Sequence, residues 1–212
     1  MKIAVLGAGA RTGAHIVRHA HNRGDDVTAV VRNPEKFLAG WTGGVVPEVR
    51  TADAREVGAL TTAFQGQDAV SFSLGASRGE PNTIHREAMA ATLAAMRAAG
   101  IRRIVALSAS GMVTRGDDPL SRYLAKPIVK RILAANFEDL LAMEALLAQS
   151  DVDWTVIRPP RLTDKPGTGH YRSRRDGNVR WHFVMNRDDL GLAMVDALHD
   201  DSSIGAHISV AS

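Results

Sequence analysis

The sequence predicts an α/β fold, a doubly wound and mostly parallel sheet with helices on both faces, in a single domain over residues 1–212. Three observations predict it. Short apolar runs of strand length alternate with longer segments whose apolar residues recur at helical spacing. The first run passes directly into a glycine-rich turn and a helix, and no repeat or linker interrupts the alternation. Strands joined by helical crossovers pair in parallel and are covered on both faces.

The predicted elements follow one another in regular order. The strands are Lys2–Leu6, Val27–Val31, a run around Val45–Val49, Asp68–Leu74, Arg103–Leu107 and Val152–Ile157. The intervening helices end near Gly24, Phe64, Gly100 and Ala148, because glycine commonly ends a helix and the apolar periodicity stops there. The long helix before Gly100 is expected to start at Pro81, and the helical stretch from Lys126 to Ala148 is expected to break near Ala135 and Asn136.

Composition excludes several classes of protein. The chain has 212 residues, 45% of them hydrophobic and 23% charged, which is typical of a globular protein with one sizeable core. The net charge of +3 is too small and dispersed to indicate nucleic-acid binding, and the densest basic cluster, Arg172–Arg175, is interpreted as a solvated hairpin. The absence of cysteine excludes disulfides and thiolate metal sites. With no signal peptide and no apolar run near twenty residues, we expect a cytoplasmic, non-membrane protein.

The glycine-rich turn is the strongest functional signal. It fits G-x-G-x-x-G only with Thr12 at the third position, and G-x-x-G-x-x-G only with Ala10 at the middle one. Glycines in such a strand–turn–helix unit let the backbone approach a pyrophosphate, and the helix N-terminus supplies free N–H groups. The sequence thus predicts a Rossmann-like dinucleotide site, with a cofactor half over about 1–110 and a substrate side over about 111–212. The candidate phosphate-binding residues are Gly7, Gly9, Ala10, Arg11, Thr12 and Gly13.

The end of the second strand indicates which dinucleotide binds. An NAD site usually places an acidic residue there to bind the ribose 2′-hydroxyl, but this strand ends in Arg32. Asp25 and Asp26 lie at the opposite end of the strand. A guanidinium suits a 2′-phosphate, and Arg11 is expected to reach the same position. We therefore predict NADP(H), although Arg32 as an ordinary solvated loop residue is the alternative.

Other strand ends supply further candidates, because ligands bind at the carboxyl ends of strands in open sheets. Asp53 is predicted to accept a hydrogen bond from the adenine amino group, and Leu74–Gly75 to lie against a ribose. The remaining candidates follow the fourth, fifth and sixth strands, and the two arginines among them could hold an anionic acceptor: Arg78, Ser108, Ser110, Pro159, Pro160 and Arg161. Each has the alternative interpretation of an ordinary loop residue.

The expected proton donor of a ketone reductase is missing from the sequence. Typical short-chain dehydrogenases carry Tyr-x-x-x-Lys on a helix, whereas Tyr123 and Lys126 are only three positions apart and Pro127 follows. His15 and His19 lie one helical turn apart but have no evident carboxylate partner, so a surface pair is favoured over a metal site. Reducing an isolated ketone requires an acid, whereas a conjugated acceptor spreads the charge.

Several segments resemble the atypical short-chain dehydrogenase/reductase group with NAD(P)H-binding NmrA-like domains. They are Gly7–Gly13, Ser108–Gly111, Asp153–Pro160 and Met185–Ala193. The resemblance covers the whole chain, and the segment Leu162–Tyr171 is similar to flavin-reductase-like members. It implies a Rossmann-like fold, NADP(H), and reduction of flavins or related acceptors. The chain departs from the pattern at Ala10, where the family has glycine, and at Ala109, where those reductases have a serine beside the nicotinamide. The resemblance thus leaves that catalytic role to Ser108 or Ser110.

The sequence therefore predicts an NADPH-dependent reductase for a conjugated acceptor: a flavin, a quinone or a linear tetrapyrrole. The alternative is a non-catalytic NADP-binding redox sensor, whose cofactor motifs would look the same. A sugar-nucleotide epimerase is disfavoured because Tyr-x-x-x-Lys is absent. The expected partner is the small-molecule acceptor, without nucleic acid or membrane, and the expected state is a monomer or weak homodimer.

The spacing of Tyr123 and Lys126 is testable. If three residues are too few for the pair to work together, Tyr123→Phe keeps most of the kcat of NADPH oxidation by oxidised flavin. Stopped-flow or steady-state assays measure this directly. A hundredfold fall in kcat at unchanged NADPH affinity would restore the tyrosine as the acid.

Overall fold

A computed structural model describes residues 1–75, 83–112 and 134–212 of the chain. Ten strands and six α-helices are numbered here in chain order over these described residues. The strands are β1 (Lys2–Leu6), β2 (Asp26–Val31), β3 (Glu48–Thr51), β4 (Ala69–Phe72), β5 (Arg103–Leu107), β6 (Asp153–Arg158), β7 (Arg161–Thr163), β8 (Arg172–Arg175), β9 (Val184–Asn186) and β10 (Ala206–Ala211). The helices are α1 (Arg11–Arg23), α2 (Pro34–Ala39), α3 (Val57–Phe64), α4 (Ile84–Ala99), α5 (Ala134–Ala148) and α6 (Arg187–Leu198). Short 3₁₀ turns follow at Ser110–Met112 and Asp201–Ser203.

Eight of the described strands form one sheet in the order β3-β2-β1-β4-β5-β6-β10-β8. All neighbours are parallel except β10 and β8, which pair antiparallel. From β1 the chain first adds β2 and β3 on one side of the sheet. It then crosses to the other side of β1, where β4, β5 and β6 follow. This confirms the predicted doubly wound, mostly parallel Rossmann-like sheet. A separate pair of short parallel strands, β7 and β9, follows β6.

The side chains of the strands pack alternately into two hydrophobic cores, one on each face of the sheet. In β1, Ala4 and Leu6 pack into the core beneath α3, α4 and α5, while Ile3 and Val5 pack into the core beneath α1 and α6. Successive strand residues point to opposite faces, so a central strand with both faces covered is apolar throughout. That is why β1 is apolar and buried from Ile3 to Leu6.

The start of α4 is held by a residue of α5. The Asp139 carboxylate accepts hydrogen bonds from the backbone N–H groups of His85 and Arg86, and from the His85 ring Nδ1 at 2.9 Å. These N–H groups have no partner inside the helix, and an acceptor there also suits the helix dipole. Asp139 therefore fixes the end of α4 that carries Ile84.

Several predicted boundaries differ from the structure. Val45 and Val46 are exposed, and the third strand begins only at Glu48, because these valines have no sheet neighbour to pack against. The helix predicted from Pro81 begins at Ile84. Helix α5 begins at Ala134, and the residues before it lie outside the described part of the chain, so the predicted break near Ala135 and Asn136 stays a prediction.

The basic cluster at Arg172–Arg175 is exposed, as predicted, but it is not one arm of a local hairpin. It forms β8, whose partner β10 lies more than thirty residues further along the chain. Within the described ranges, no helix is long and apolar enough to cross a membrane.

The closest approach of α1 and α6 depends on Gly191. A Cβ placed there would lie 2.8 Å from His15 Cβ and 2.9 Å from the His15 carbonyl carbon, whereas a Cβ on Gly58 of α3 would meet nothing within 4 Å. We expect Gly191→Ala to lower the free energy of unfolding by about 1–3 kcal/mol through overpacking. Gly58→Ala is the matched control, expected to be neutral or to stabilise by up to about 1 kcal/mol. Urea denaturation of both variants measures the difference, and equal midpoints would contradict the tight contact.

Candidate functional site

A cavity of about 650 Å³ opens at the carboxyl ends of β1, β2, β3 and β4. This is the position at which open parallel sheets bind their ligands, beside the point where the strand order reverses. Its walls come from the glycine turn, the start of α2, and the residues that follow β3 and β4. The lining residues that bear on function are Gly7, Gly9, Ala10, Arg32, Asn33, Lys36, Phe37, Trp41, Asp53, Leu74, Gly75 and Ile84.

Two glycines of the turn are required by the fold itself. Gly7 has a φ of +87°, and a Cβ there would lie 2.8 Å from the Ser73 carbonyl oxygen. A Cβ on Gly13 would lie 2.2 Å from the Gly7 carbonyl oxygen, so the first turn of α1 sits directly on the end of β1. Gly9 differs from both, because its nearest obstacle is Val31 Cγ1 at 3.7 Å. Protein packing therefore leaves Gly9 as open backbone facing the cavity.

The structure explains why this turn fits neither glycine spacing fully. Ala10 has extended backbone angles, φ −82° and ψ 158°, which any residue adopts, so the family's glycine is not needed there. Thr12 is buried in the first turn of α1, and the close helix–strand contact falls one position later, at Gly13.

The N-terminus of α1 has the features of an anion-binding site. Ala10 offers no side-chain cap, and the first turn of the helix contains no acidic residue. The first N–H groups of a helix lack intrahelical partners and carry the positive end of its dipole. With the open backbone at Gly9 beside them, they can hold a pyrophosphate.

Two cationic side chains follow β2 at the cavity. Arg32 directly follows β2, and Lys36 lies in α2, whose N-terminus is capped by the Asn33 side chain accepting from the Lys36 N–H at 2.8 Å. Sequence reasoning predicted Arg32 but missed Lys36, although Asn33-Pro34 is itself a helix-start signal. Asp25 is engaged elsewhere, with the N-terminal amino group at 2.8 Å and His199 at 2.9 Å. The acidic residues at the other end of β2 therefore take no part in the site.

Asp53 is an ionised acceptor at the cavity wall. Hydrogen bonds from the Arg55 side chain and backbone lower the pKa of Asp53, and the charge of Arg32 contributes to the same shift. Opposite the polar groups, Phe37 and Trp41 form a tilted aromatic pair with ring centroids 5.4 Å apart. The Trp41 indole N–H donates to the carbonyl oxygens of Gly44 and Val45. Sequence reasoning missed this aromatic wall, since α2 is too short to show a clear apolar period.

Arg11 does not contribute to the cavity wall. Its guanidinium lies 2.7 Å from Asp164, which also pairs with Arg187 at 2.5 Å. Arg11 thus pairs with Asp164 in this structure, and its contribution beside Arg32 at a 2′-phosphate stays a prediction. Asp164 lies in the segment after β7, 153 positions further along the chain from Arg11. Because the two residues are so far apart in sequence, the sequence around Arg11 does not predict this ion pair.

The predicted serines lie where β5 and β6 end together. The Ser108 N–H donates to the Ile157 carbonyl at 2.8 Å, and the Ser110 N–H donates to the Pro159 carbonyl at 2.9 Å. Ser108 is buried, and its hydroxyl has no hydrogen-bond partner among the described residues. An unsatisfied buried hydroxyl is costly, so it is available to a ligand group. Sequence and structure agree in placing these serines together with Pro159.

The remaining candidates divide between two regions. Pro160 follows Pro159, and Arg161 opens β7 with an exposed side chain, away from the cavity lining. Leu74 and Gly75 line the cavity beside Gly7. Arg78, like Tyr123 and Lys126, lies outside the described residues.

The His15 and His19 pair has an acidic partner that the sequence did not reveal. Asp188 of α6 lies 2.5 Å from His19 Nε2 and 2.6 Å from the Arg18 guanidinium. Burial and the charge of Arg18 lower the pKa of His15. Partial burial opposes ionisation of Asp188, but the hydrogen bonds from His19 and Arg18 outweigh it and lower its pKa. Through these contacts the cluster joins α1 to α6. No group of side chains suited to a metal occurs among the described residues.

Comparisons with known proteins agree with this geometry. The sequence matches the NAD(P)H-binding family over residues 7–201. It is 25% identical to the uncharacterized sugar epimerase YhfK of Bacillus subtilis, over 96% of this chain and 90% of that protein. It is 28% identical to a 3-diazoavenalumate denitrifying reductase from a Streptomyces species, over 99% of this chain and 71% of that protein.

A solved structure supports the fold. The chain superposes with a TM-score of 0.79 on a short-chain dehydrogenase/reductase from Veillonella parvula in complex with NADP, at 18% identity, over 100% of this chain and 94% of that one. At that identity the likeness speaks for the fold alone. The family match, which extends over most of the chain and includes the glycine turn, shows that this protein belongs to the NAD(P)H-binding family.

Proposed function

We propose that this protein is an NADPH-dependent reductase that transfers hydride to a conjugated acceptor: a flavin, a quinone or a linear tetrapyrrole. The observation that carries the proposal is the cavity in which the glycine turn and the α1 N-terminus meet two cations, Arg32 and Lys36. We further propose that it belongs with the NmrA-like, flavin-reductase-like members of its group.

The residues present fit NADP(H). The open backbone at Gly9 and the α1 N-terminus would hold the pyrophosphate. Arg32 and Lys36 would hold the 2′-phosphate, because a planar guanidinium and an ammonium both suit a phosphate dianion and a carboxylate would repel it. Asp53 would accept from the adenine amino group, and the Phe37–Trp41 pair gives that half of the cavity an aromatic wall.

The reacting half would lie beside the linked ends of β5 and β6. A bound nicotinamide supplies the hydride. Ser108 offers a buried hydroxyl without a partner among the described residues, which would orient a polar group of cofactor or acceptor. Pro159 and Pro160 stiffen the adjoining backbone, whose Pro159 carbonyl is held by Ser110. These groups position donor and acceptor, which alone contributes strongly to rate.

A conjugated acceptor is favoured by the absence of Tyr-x-x-x-Lys from the sequence. An isolated ketone becomes an alkoxide and requires a proton donor, whereas a flavin or quinone distributes the added charge and takes its proton from water. A reductase name among the relatives supports this class of chemistry. The epimerase name of another relative does not overcome the missing tyrosine–lysine spacing.

The cofactor preference is tested at Arg32. We expect NADPH to bind much more tightly than NADH, and Arg32→Ala to weaken NADPH binding by about 1–3 kcal/mol while NADH binding hardly changes. Titration calorimetry with both cofactors measures this. Arg97→Ala, an exposed change at the far end of α4, is the control and should alter neither. Equal losses for NADPH and NADH would show that Arg32 does not read the 2′-phosphate.

The acceptor class is tested by following NADPH absorbance with a panel of compounds. Oxidised flavin or a quinone should draw hydride from NADPH, whereas simple ketones, aldehydes and sugar nucleotides should not. The double change Ser108→Ala with Ser110→Ala should slow flavin reduction only about tenfold or less, because full acid catalysis contributes about 10²–10⁴-fold. Tight NADPH binding without turnover by any acceptor would favour the redox sensor. Efficient ketone reduction would contradict the proposal and show that another residue of the chain acts as the acid.

A further inference from the structure

Two aromatic side chains stand out on the surface before β9. Trp181 is 65% exposed and Phe183 is 54% exposed, with Val184 beside them at 39%. Large aromatic side chains are normally buried, and a cluster of them in water usually marks a binding surface. We call the segment from Arg180 to Val184 the aromatic loop.

The aromatic loop holds Trp181 in an unfavourable conformation. Its φ of +63° is in the left-handed region, where a bulky side chain is a rare outlier. The His182 Nδ1–H donates to the Arg180 carbonyl at 2.7 Å and keeps the loop closed. Strained backbone of this kind concentrates at ligand-binding sites. Trp181 thus combines a strained backbone with a ring that is exposed to solvent.

The aromatic loop is connected to the reacting half of the proposed site through β7 and β9. The Val184 position pairs with Arg161 in the β7–β9 ladder, and Arg161 follows Pro159, whose carbonyl is held by Ser110. Neighbouring Cα atoms are about 3.8 Å apart and paired strands about 4.8 Å apart, so the path to Ser110 spans at most roughly 20 Å from Val184 and at most roughly 30 Å from Trp181. The β7–β9 ladder therefore joins the aromatic loop to the turn that follows β6, where the Pro159 carbonyl accepts from Ser110.

The surface around the aromatic loop is cationic. Arg161 and Arg180 are exposed, and neither forms an ion pair with any carboxylate in the described ranges. Asp164, the acidic residue nearest to Arg161 in sequence, is already engaged by Arg11 and Arg187. Two unpaired guanidiniums beside two exposed rings suit a ligand that is both planar and anionic.

We propose that Trp181 and Phe183 stack on the ring system of the acceptor, and that Arg161 and Arg180 bind an acidic group attached to it. The acceptor class is thereby narrowed to planar conjugated molecules that carry a phosphate or carboxylate. The inference rests on the proposed reductase function, because it assigns the acceptor side of that site. Stacking supplies affinity regardless of ring identity, and the arginine pair supplies selectivity for the anion.

The test uses FMN and riboflavin, which share a ring system and differ in the phosphate. Both are titrated calorimetrically into the full chain saturated with NADP⁺, so that no hydride is consumed. Trp181→Ala should raise the Kd of both flavins about tenfold, and Trp181→Phe should restore binding to within about threefold. Arg161→Gln with Arg180→Gln should raise the Kd of FMN about tenfold towards that of riboflavin and leave riboflavin unchanged.

Matched controls separate this site from general effects. Leu141→Ala removes another exposed apolar side chain, on α5, and Arg97→Ala removes another exposed arginine. Neither should change the Kd of FMN, and no variant should change the Kd of NADP⁺. Absence of FMN binding, or an unchanged Kd in Trp181→Ala, would overturn the proposal. A change of oligomeric state in Trp181→Ala, seen by light scattering, would overturn it in favour of self-association.

The experiments distinguish a wrong assignment of the acceptor site from a wrong assignment of the reductase function. If flavin binding depends on Trp181 but NADPH is oxidised by no acceptor, the reductase proposal fails and the acceptor site stands. If flavin is reduced with a KM that Trp181→Ala leaves unchanged, the reductase proposal stands and the aromatic loop is not the acceptor site.

Discussion

The contact between Gly13 and the Gly7 carbonyl is the constraint on which the rest of the site depends. With no Cβ at position 13, α1 begins directly over the end of β1. The same helix meets α6 at Gly191, again without room for a methyl group. Helix α1 is therefore fixed between the sheet and α6 by two backbone-level contacts. Its N-terminus consequently faces the cavity in one orientation, and the cations after β2 are placed relative to it.

Sequence reasoning succeeded where the cause of structure is local. The apolar runs of β1 and β5, the glycine turn and the helix end at Gly24 follow from periodicity and backbone preference within a few residues. It failed where the partner of a side chain or a strand lies far away in the sequence. Asp164 forms an ion pair with Arg11, and Asp188 contacts the histidines of α1. Strand β8 pairs with β10 instead of with a strand next to it in the sequence. Nothing near those positions in the sequence signals the partner.

The two halves of the site are built in different ways. The cofactor half uses β1, β2 and the turns after them, which are close in sequence and carry strong motifs. The proposed acceptor half would combine the carboxyl ends of β5 and β6 with the start of β9, which the serine-to-proline contacts and the β7–β9 ladder connect. This explains why the cofactor class could be predicted from sequence, while the aromatic loop could be recognised only once the ladder placed it beside Arg161.

The edge strand β8 affects how the protein behaves at high concentration. An open sheet edge exposes unpaired N–H and C=O groups that can template growth of the sheet from one molecule to another. All four residues of β8 are exposed, and three of them are arginines. The positive charges on the β8 edges of two molecules repel each other, and this repulsion opposes pairing of the two edges and therefore aggregation. Because charge repulsion is screened by salt, that protection weakens as ionic strength rises.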